Sequence, residues 1–169
     1  MQIIAKFEKV SEAQYLKDWK QYRRNDEQAA QNTYKNILLP QRATKGSAGY
    51  DFYAPCDISI WPKASVCIPT GIRVRIDEGW MMAVFPRSGL GFRYRICLAN
   101  TVGIIDSDYY EANNEGHIML KLVNGSEKHV DLRAGSAIAQ GIFLPIGFAV
   151  EDEVEETRQG GLGSTSEKE

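Results

Sequence analysis

Cysteine and histidine are scarce in this chain, and their scarcity excludes several chemistries at once. Cys56, Cys67 and Cys97 are odd in number, far apart and free of any C-x-x-C spacing. No disulfide framework is expected, and a reduced, intracellular setting is predicted. His117 and His129 have no partner at metal-ligand spacing, so no zinc site is expected. No charged stretch followed by an apolar one opens the chain in the manner of a secretory signal. No apolar run approaches the ~20 residues that cross a bilayer, so no membrane association is expected. Blocks of one charge are missing too: 20 basic against 22 acidic residues give −2, and no nucleic-acid partner is expected.

What is present suits one core. The chain has 169 residues, of which 43% are hydrophobic, enough for a single domain over 1–150 and short for two. MQIIAKF alternates like a strand. From Ser11 the pattern changes, with capping-box spacing to Gln14 and with Tyr15, Trp19 and Tyr22 recurring at helical intervals. This predicts a helix over about 11–24 and a second over 26–36. After Leu39 the chain turns to period two with frequent Pro and Gly, and helices should be scarce. SVCIPTGIRVRI, WMMAVF, HIMLKLVN and SAIAQGIFLPI are the strand candidates of an all-β sandwich or barrel. The end, 151–169, is acidic and then Gly/Ser-rich, which predicts a mobile tail.

Polar clusters interrupt the strands. In FPRSGLG, Pro86 stops a strand, Gly89 and Gly91 permit tight turns, and Arg87 with Ser88 offers a donor fork and a hydroxyl. That is either a phosphate-binding nest or an ordinary turn with a solvated arginine. RQGGLGSTS places Arg158 beside glycines and the hydroxyls of Ser164 and Thr165. It is a second phosphate cradle, ordered by closing over a ligand, or simply a loose end. NTVGIIDSDYY follows apolar residues with Asp106, Asp108, Tyr109 and Tyr110. Its aspartates either bond local amides in a hairpin turn or supply the base that activates a water, since no Cys–His or Ser–His pair is evident. Tyr109 offers a flat ring to a sugar or base, and Asn100 both a donor and an acceptor. Asp51 in SAGYDFYA is a turn aspartate or a carboxylate holding a water of Mg²⁺ near phosphates. Gln140, an amide inside apolar AIAQGIF, satisfies backbone groups or orients a ligand or water.

Taken in order, SAGYDFYA, PRSGLG, N-x-V-G-x-I-D-x-D-Y, IAQ and R-x-G-G-x-G-S-T resemble the five motifs of the trimeric deoxyuridine triphosphate nucleotidohydrolases, the dUTPases. The resemblance covers roughly Leu38 to Thr165. It implies a jelly-roll-like β-clip subunit, a homotrimer whose active sites draw on all three copies, and Mg²⁺-dependent cleavage of dUTP to dUMP and pyrophosphate. Such cleavage limits uracil in DNA and supplies dUMP for dTMP synthesis. Under that resemblance Asp106 positions and activates the water that attacks the α-phosphate. Arg87, Ser88 and Gly89 grip the phosphates, and Gln140 lies near them and the water. Asn100 and Tyr109, with Gly103 between them, form the hairpin that receives uracil and packs the deoxyribose, and Tyr109 disfavours a ribose 2′-hydroxyl. Asp51 is linked to Mg²⁺ through water. Arg158, Gly161, Leu162, Gly163, Ser164 and Thr165 form a tail that closes over the γ-phosphate. The resemblance also implies a cytoplasmic enzyme, or one of the host cytoplasm if phage-encoded.

The departures from that pattern are local. Leu162 stands where an aromatic residue usually stacks on uracil, Gln159 replaces a usual glycine, and Ala137 an arginine. YEANNEG is longer and more polar than the usual turn after the tyrosine. The helical segment 11–35 has no counterpart. It is read as surface decoration or as a partner-binding element, with Tyr15, Trp19 and Tyr22 as anchor if exposed. Two alternatives to the hydrolase reading are a dCTP deaminase-like enzyme and a nucleotide-sensing regulatory protein acting through the helical insertion.

Overall fold

The computed structural model describes residues 2–23, 26–152 and Gly160. A first strand, β1 (Ala5–Lys9), precedes two helices, α1 (Glu12–Tyr22) and α2 (Glu27–Lys35). The chain continues through β2 (Gln41–Arg42), β3 (Tyr50–Tyr53), β4 (Ile58–Ile60), β5 (Ser65–Pro69), β6 (Ile72–Ile76) and β7 (Trp80–Pro86). A short helix α3 (Ser88–Tyr94) leads to β8 (Ile96–Leu98), β9 (Gly103–Ile105) and a 3-10 turn over Ser107–Glu111. Then come β10 (Met119–Asn124), β11 (Val130–Leu132) and the long β12 (Ala137–Pro145).

The described strands pair antiparallel in four sheets, in the orders β1-β6, β5-β10-β8, β11-β4 and β2-β3-β12-β7-β9. Alternation explains why each folds as a strand. Ile58 and Ile60 of β4 and Val130 and Leu132 of β11 are buried, while Ser59 and Asp131 between them face out and bond each other. Phe52, Ile68, Ile72, Met82, Leu122 and Ile138 join across the sheets in one core.

Two local expectations need correction. FPRSGLG is not a loose turn: Pro86 ends β7 and the chain then winds into α3, with the Leu90 and Gly91 amides both bonding the Arg87 carbonyl at 3.1 and 3.0 Å. Leu90 and Tyr94, one helical turn apart, pack against the core, which selects helix over turn. NTVGIIDSDYY is not a two-strand hairpin either. β8 pairs with β10 and β9 with β7, so Asn100–Val102 carries the chain from one sheet to another. Gly103 permits this, because a Cβ there would stand 3.3 Å from the Val84 Cβ across the ladder.

The N-terminal helices are part of the core. Ser11 caps α1 by accepting the Gln14 amide, and Asp26 caps α2 by accepting that of Ala29. Tyr15 is 0% and Trp19 7% exposed, so neither is available as a docking anchor; Tyr22, at 38%, is the only exposed ring of the three. Gly71 makes this packing possible. It has φ +73°, and a Cβ there would lie 2.2 Å from Ile37 Cδ1.

A buried polar chain joins α1 to the sheets. His117 Nδ1 lies 2.6 Å from Asp18 Oδ2, and the Gly71 amide donates to His117 Nε2 at 2.7 Å. Because Nε2 accepts, the imidazole proton resides on Nδ1 and is donated to Asp18. Gln14 Nε2 donates to the same carboxylate oxygen at 2.8 Å. Burial alone would raise the Asp18 carboxyl, but the bonds from His117 and Gln14 outweigh it and hold it below the usual range. A lowered folded value means that this carboxylate stabilises the fold fully above pH about 4 and that the contribution is lost as pH falls through the folded value. Thermal unfolding of wild type and Asp18→Asn at pH 7 and near pH 3 checks this. The variant is expected to unfold well below wild type at pH 7 and the gap to narrow in acid; an equal gap at both pH values would show that Asp18 is not the linked group.

Candidate active site

The five-stranded sheet places the motif residues by register. Asp51 on β3 stands opposite Gln140 on β12, which stands opposite Phe85 on β7. Paired residues share a face, so Asp51 and Gln140 emerge side by side, and Arg87, just past the end of β7, reaches the same edge. Arg87 Nη1 donates to Asp51 Oδ1 at 2.7 Å, with Asp51 buried and Arg87 about one-third exposed. The pair fixes the guanidinium fork at the start of α3, where Ser88 and Gly89 are exposed and their amides, the first two of the helix, lie ahead of its first internal bond. Gly49 completes this edge: a Cβ there would lie 2.6 Å from Gln140 Oε1, so its missing side chain is the seat of the Gln140 amide.

Asn100 precedes β9, Gly103 opens it, and Asp106 and Tyr109 follow it. Gly103 pairs with Val84 and Ile105 with Met82, which sets Asp106 level with Met81. From Met81 to Arg87, at about 3.3 Å per residue, β7 spans roughly 20 Å. Within one chain, then, Asp51, Gln140 and Arg87 gather at one end of the sheet and Asp106 lies toward the other. Asn100 is exposed at the turn before β9. Asp106 is half-buried and opens the 3-10 turn without its side chain capping it.

Tyr109 is 4% exposed, and its hydroxyl donates to the His117 carbonyl at 2.9 Å and accepts from Asn114 Nδ2 at 2.9 Å. The 112–117 loop wraps behind it. Gly116, with φ +68°, lies so close that a Cβ would stand 2.6 Å from the Tyr109 carbonyl oxygen. Tyr110 is held separately. Arg73 stacks on its ring at 3.5 Å and donates to its carbonyl at 2.6 Å, while the Tyr110 hydroxyl donates to Glu8 at 2.5 Å. Hydrogen bonds from Lys6 and Tyr110 hold the Glu8 carboxyl below its usual range.

These supporting residues, His117, Asn114, Glu8 and Arg73, were not singled out as site residues in the sequence. The available signal was the polar run before an apolar strand in EANNEGHIML. Among the described residues no group of three or more His, Cys, Asp or Glu could hold a metal ion, and no helix is long and apolar enough to cross a membrane. The tail residues Arg158, Gln159, Gly161, Leu162, Gly163, Ser164 and Thr165 lie outside the described residues.

Comparison with known proteins identifies the family. A family model described as dUTPase matches residues 35–166. The deoxyuridine 5'-triphosphate nucleotidohydrolase of Lactococcus lactis subsp. lactis is 38% identical over 137 residues, covering 78% of this chain and 91% of that protein. The protein of the same name from Dictyoglomus turgidum is 41% identical over 140 residues, covering 78% and 92%. Among solved structures, the dUTPase from Streptococcus mutans superposes with a TM-score of 0.64 at 33% identity, covering 85% of this chain and 97% of that one. The chain belongs to the dUTPase family.

Proposed function

We propose that this protein hydrolyses dUTP to dUMP and pyrophosphate, removing a precursor of uracil in DNA and supplying dUMP for dTMP synthesis. Family membership favours this over the deaminase and purely regulatory readings. The sheet register carries the structural side of the reading. Phosphate-gripping groups and the carboxylate base lie toward opposite ends of β7, which supports a site that takes them from two different copies. A homotrimer with shared sites fits that separation. Exposed apolar residues after β12, Phe148 at 75% and Val150 at 93%, add surface that another copy would cover.

In this mechanism Asp106 of one copy takes a proton from the attacking water as its oxygen bonds to the α-phosphorus. The bond from that phosphorus to the bridging oxygen breaks, and pyrophosphate leaves with the electron pair. Arg87, held by Asp51, and the amides of Ser88 and Gly89 stabilise the charge on the leaving phosphates, with the Ser88 hydroxyl toward the bridging region. Gln140, seated on Gly49, orients the water or a phosphate oxygen. The donor set suits Mg²⁺ held through water, because the buried Asp51 carboxylate stands beside Arg87 at the start of α3, where the phosphates would lie. Asp51 is the residue that would hold such a water. Mg²⁺ there would supply further charge neutralisation.

Asn100 and the backbone around Gly103 read the uracil amide pattern, which rejects cytosine by unpaired polar groups and thymine by lack of room. With its hydroxyl already tied to His117 and Asn114, Tyr109 presents ring rather than polar edge to the sugar. A ribose 2′-hydroxyl finds no partner there. Under this reading Arg158, Gly161, Leu162, Gly163, Ser164 and Thr165 serve the γ-phosphate, and Leu162 offers uracil less stacking surface than an aromatic ring.

Pyrophosphate release from dUTP, dCTP, dTTP and UTP, with and without Mg²⁺, tests the reading. Selective, Mg²⁺-stimulated release from dUTP is expected; ammonia release from dCTP would instead support the deaminase. Asp106→Asn should lower turnover by about 10²–10⁴-fold, the usual worth of a general base. Calorimetry should show dUTP binding retained, and normal turnover by this variant would remove Asp106 from the role of base.

A further inference from the structure

Two of the departures from the family pattern touch each other: the helical segment 11–35 and the long loop after Tyr110. We propose that α1 is a positioning element for Tyr109, acting through Glu115 and His117, and so helps to set affinity and sugar selectivity in the nucleoside pocket. This rests on the reading of Tyr109 as the residue that packs the deoxyribose.

The contacts form two continuous routes. At the start of α1 the Ser11 amide donates to Glu115 Oε2 at 2.7 Å and the Ser11 hydroxyl donates to Glu115 Oε1 at 2.6 Å. In a capping box a glutamine or glutamate three residues into the helix would take that amide. Here Gln14 donates to Asp18 instead, and the loop carboxylate stands in for it. Burial raises the Glu115 carboxyl, but the two bonds from Ser11 outweigh it and leave it below its usual range. About two turns along α1, Asp18 accepts from His117, whose carbonyl accepts the Tyr109 hydroxyl.

Asn114 closes the circuit. Its side-chain amide donates to the Tyr109 hydroxyl, its side-chain oxygen accepts the Gly116 amide at 3.2 Å, and its carbonyl accepts the His117 amide at 3.1 Å. The loop therefore has polar attachments to α1 at Glu115 and His117 and to the Tyr109 hydroxyl at Asn114 and His117. A tyrosine whose hydroxyl is fixed at two points presents its ring in one orientation, and loosening α1 loosens that orientation. Tyr109 meets the sugar and not the reacting phosphorus, so the effect falls on binding shared by ground and transition states: KM moves and kcat does not.

Steady-state kinetics of the full chain with dUTP and UTP, beside thermal unfolding, tests this. Glu115→Ala should raise KM for dUTP about tenfold, cut the preference for dUTP over UTP about tenfold and leave kcat within about twofold. Glu115→Gln should restore all three, because an amide oxygen still accepts the Ser11 N–H and its NH₂ donates to the Ser11 hydroxyl. Should Glu115→Ala not fold, Ser11→Ala removes the hydroxyl's bond to Glu115, along with its cap on the Gln14 amide, and should give the same pattern at about threefold.

Tyr109→Ala serves as the control for the underlying reading. If wild type cleaves dUTP but Tyr109→Ala leaves KM and the dUTP/UTP preference unchanged, the sugar-packing role of Tyr109 fails. If Tyr109→Ala changes both while a folded Glu115→Ala or Ser11→Ala variant loses only melting temperature, α1 is structural support and the positioning role is overturned.

Discussion

The ladder in which β12 is held between β3 and β7 is the constraint on which the rest of this structure depends. Its register decides that Asp51, Gln140 and Arg87 meet at one edge and that Asp106 stands far down the other side of β7. A one-residue slip of β12 would turn Gln140 from the Asp51 side of the sheet to the opposite face and expose Ile138 or Ala139 in exchange. The core prevents that slip: Ile138 and Ala139 are both fully buried, and Gly141 fits against Met82 and Phe52 where a side chain would collide. Packing and chemistry are thus specified by the same pairing.

Around this sheet, buried polar groups are used as joints. The Asp18–His117–Gly71 chain ties a helix to a strand junction without leaving a carboxylate unpaired, which is the condition for burying one at all. The Asp51–Arg87 pair does similar work at the sheet edge. Tyr110, gripped by Arg73 and Glu8, anchors the turn that carries Asp106 from behind.

Much of this was legible in the chain. Period-two runs marked the strands, Ser11 marked the start of α1, and the order of the motif clusters pointed to the family because each cluster is local in sequence. What was not legible depended on distant contacts. FPRSGLG reads as a turn until Leu90 and Tyr94 find the core. The aromatic spacing of Tyr15 and Trp19 shows a helix face but not what covers it, and that cover comes from residues such as Ile37 and His117, far along the chain. His117 looked solitary because its partners, Asp18 and Gly71, are remote in sequence. The separation of Asp106 from Arg87 follows from strand pairing, which no local pattern encodes.

The central claim is that a working site takes Asp106 from one copy and Arg87 from another. Asp106→Asn and Arg87→Ala chains, each inactive alone, can be unfolded together in equal amounts and refolded. If sites are shared between copies of a closed homo-oligomer, about one quarter of the sites in the random mixture combine an intact Asp106 with an intact Arg87. The dUTP cleavage rate should then recover to about a quarter of wild type. If native mass spectrometry shows mixed assemblies and the mixture stays as inactive as its parents, each site is built within a single chain and the account is contradicted.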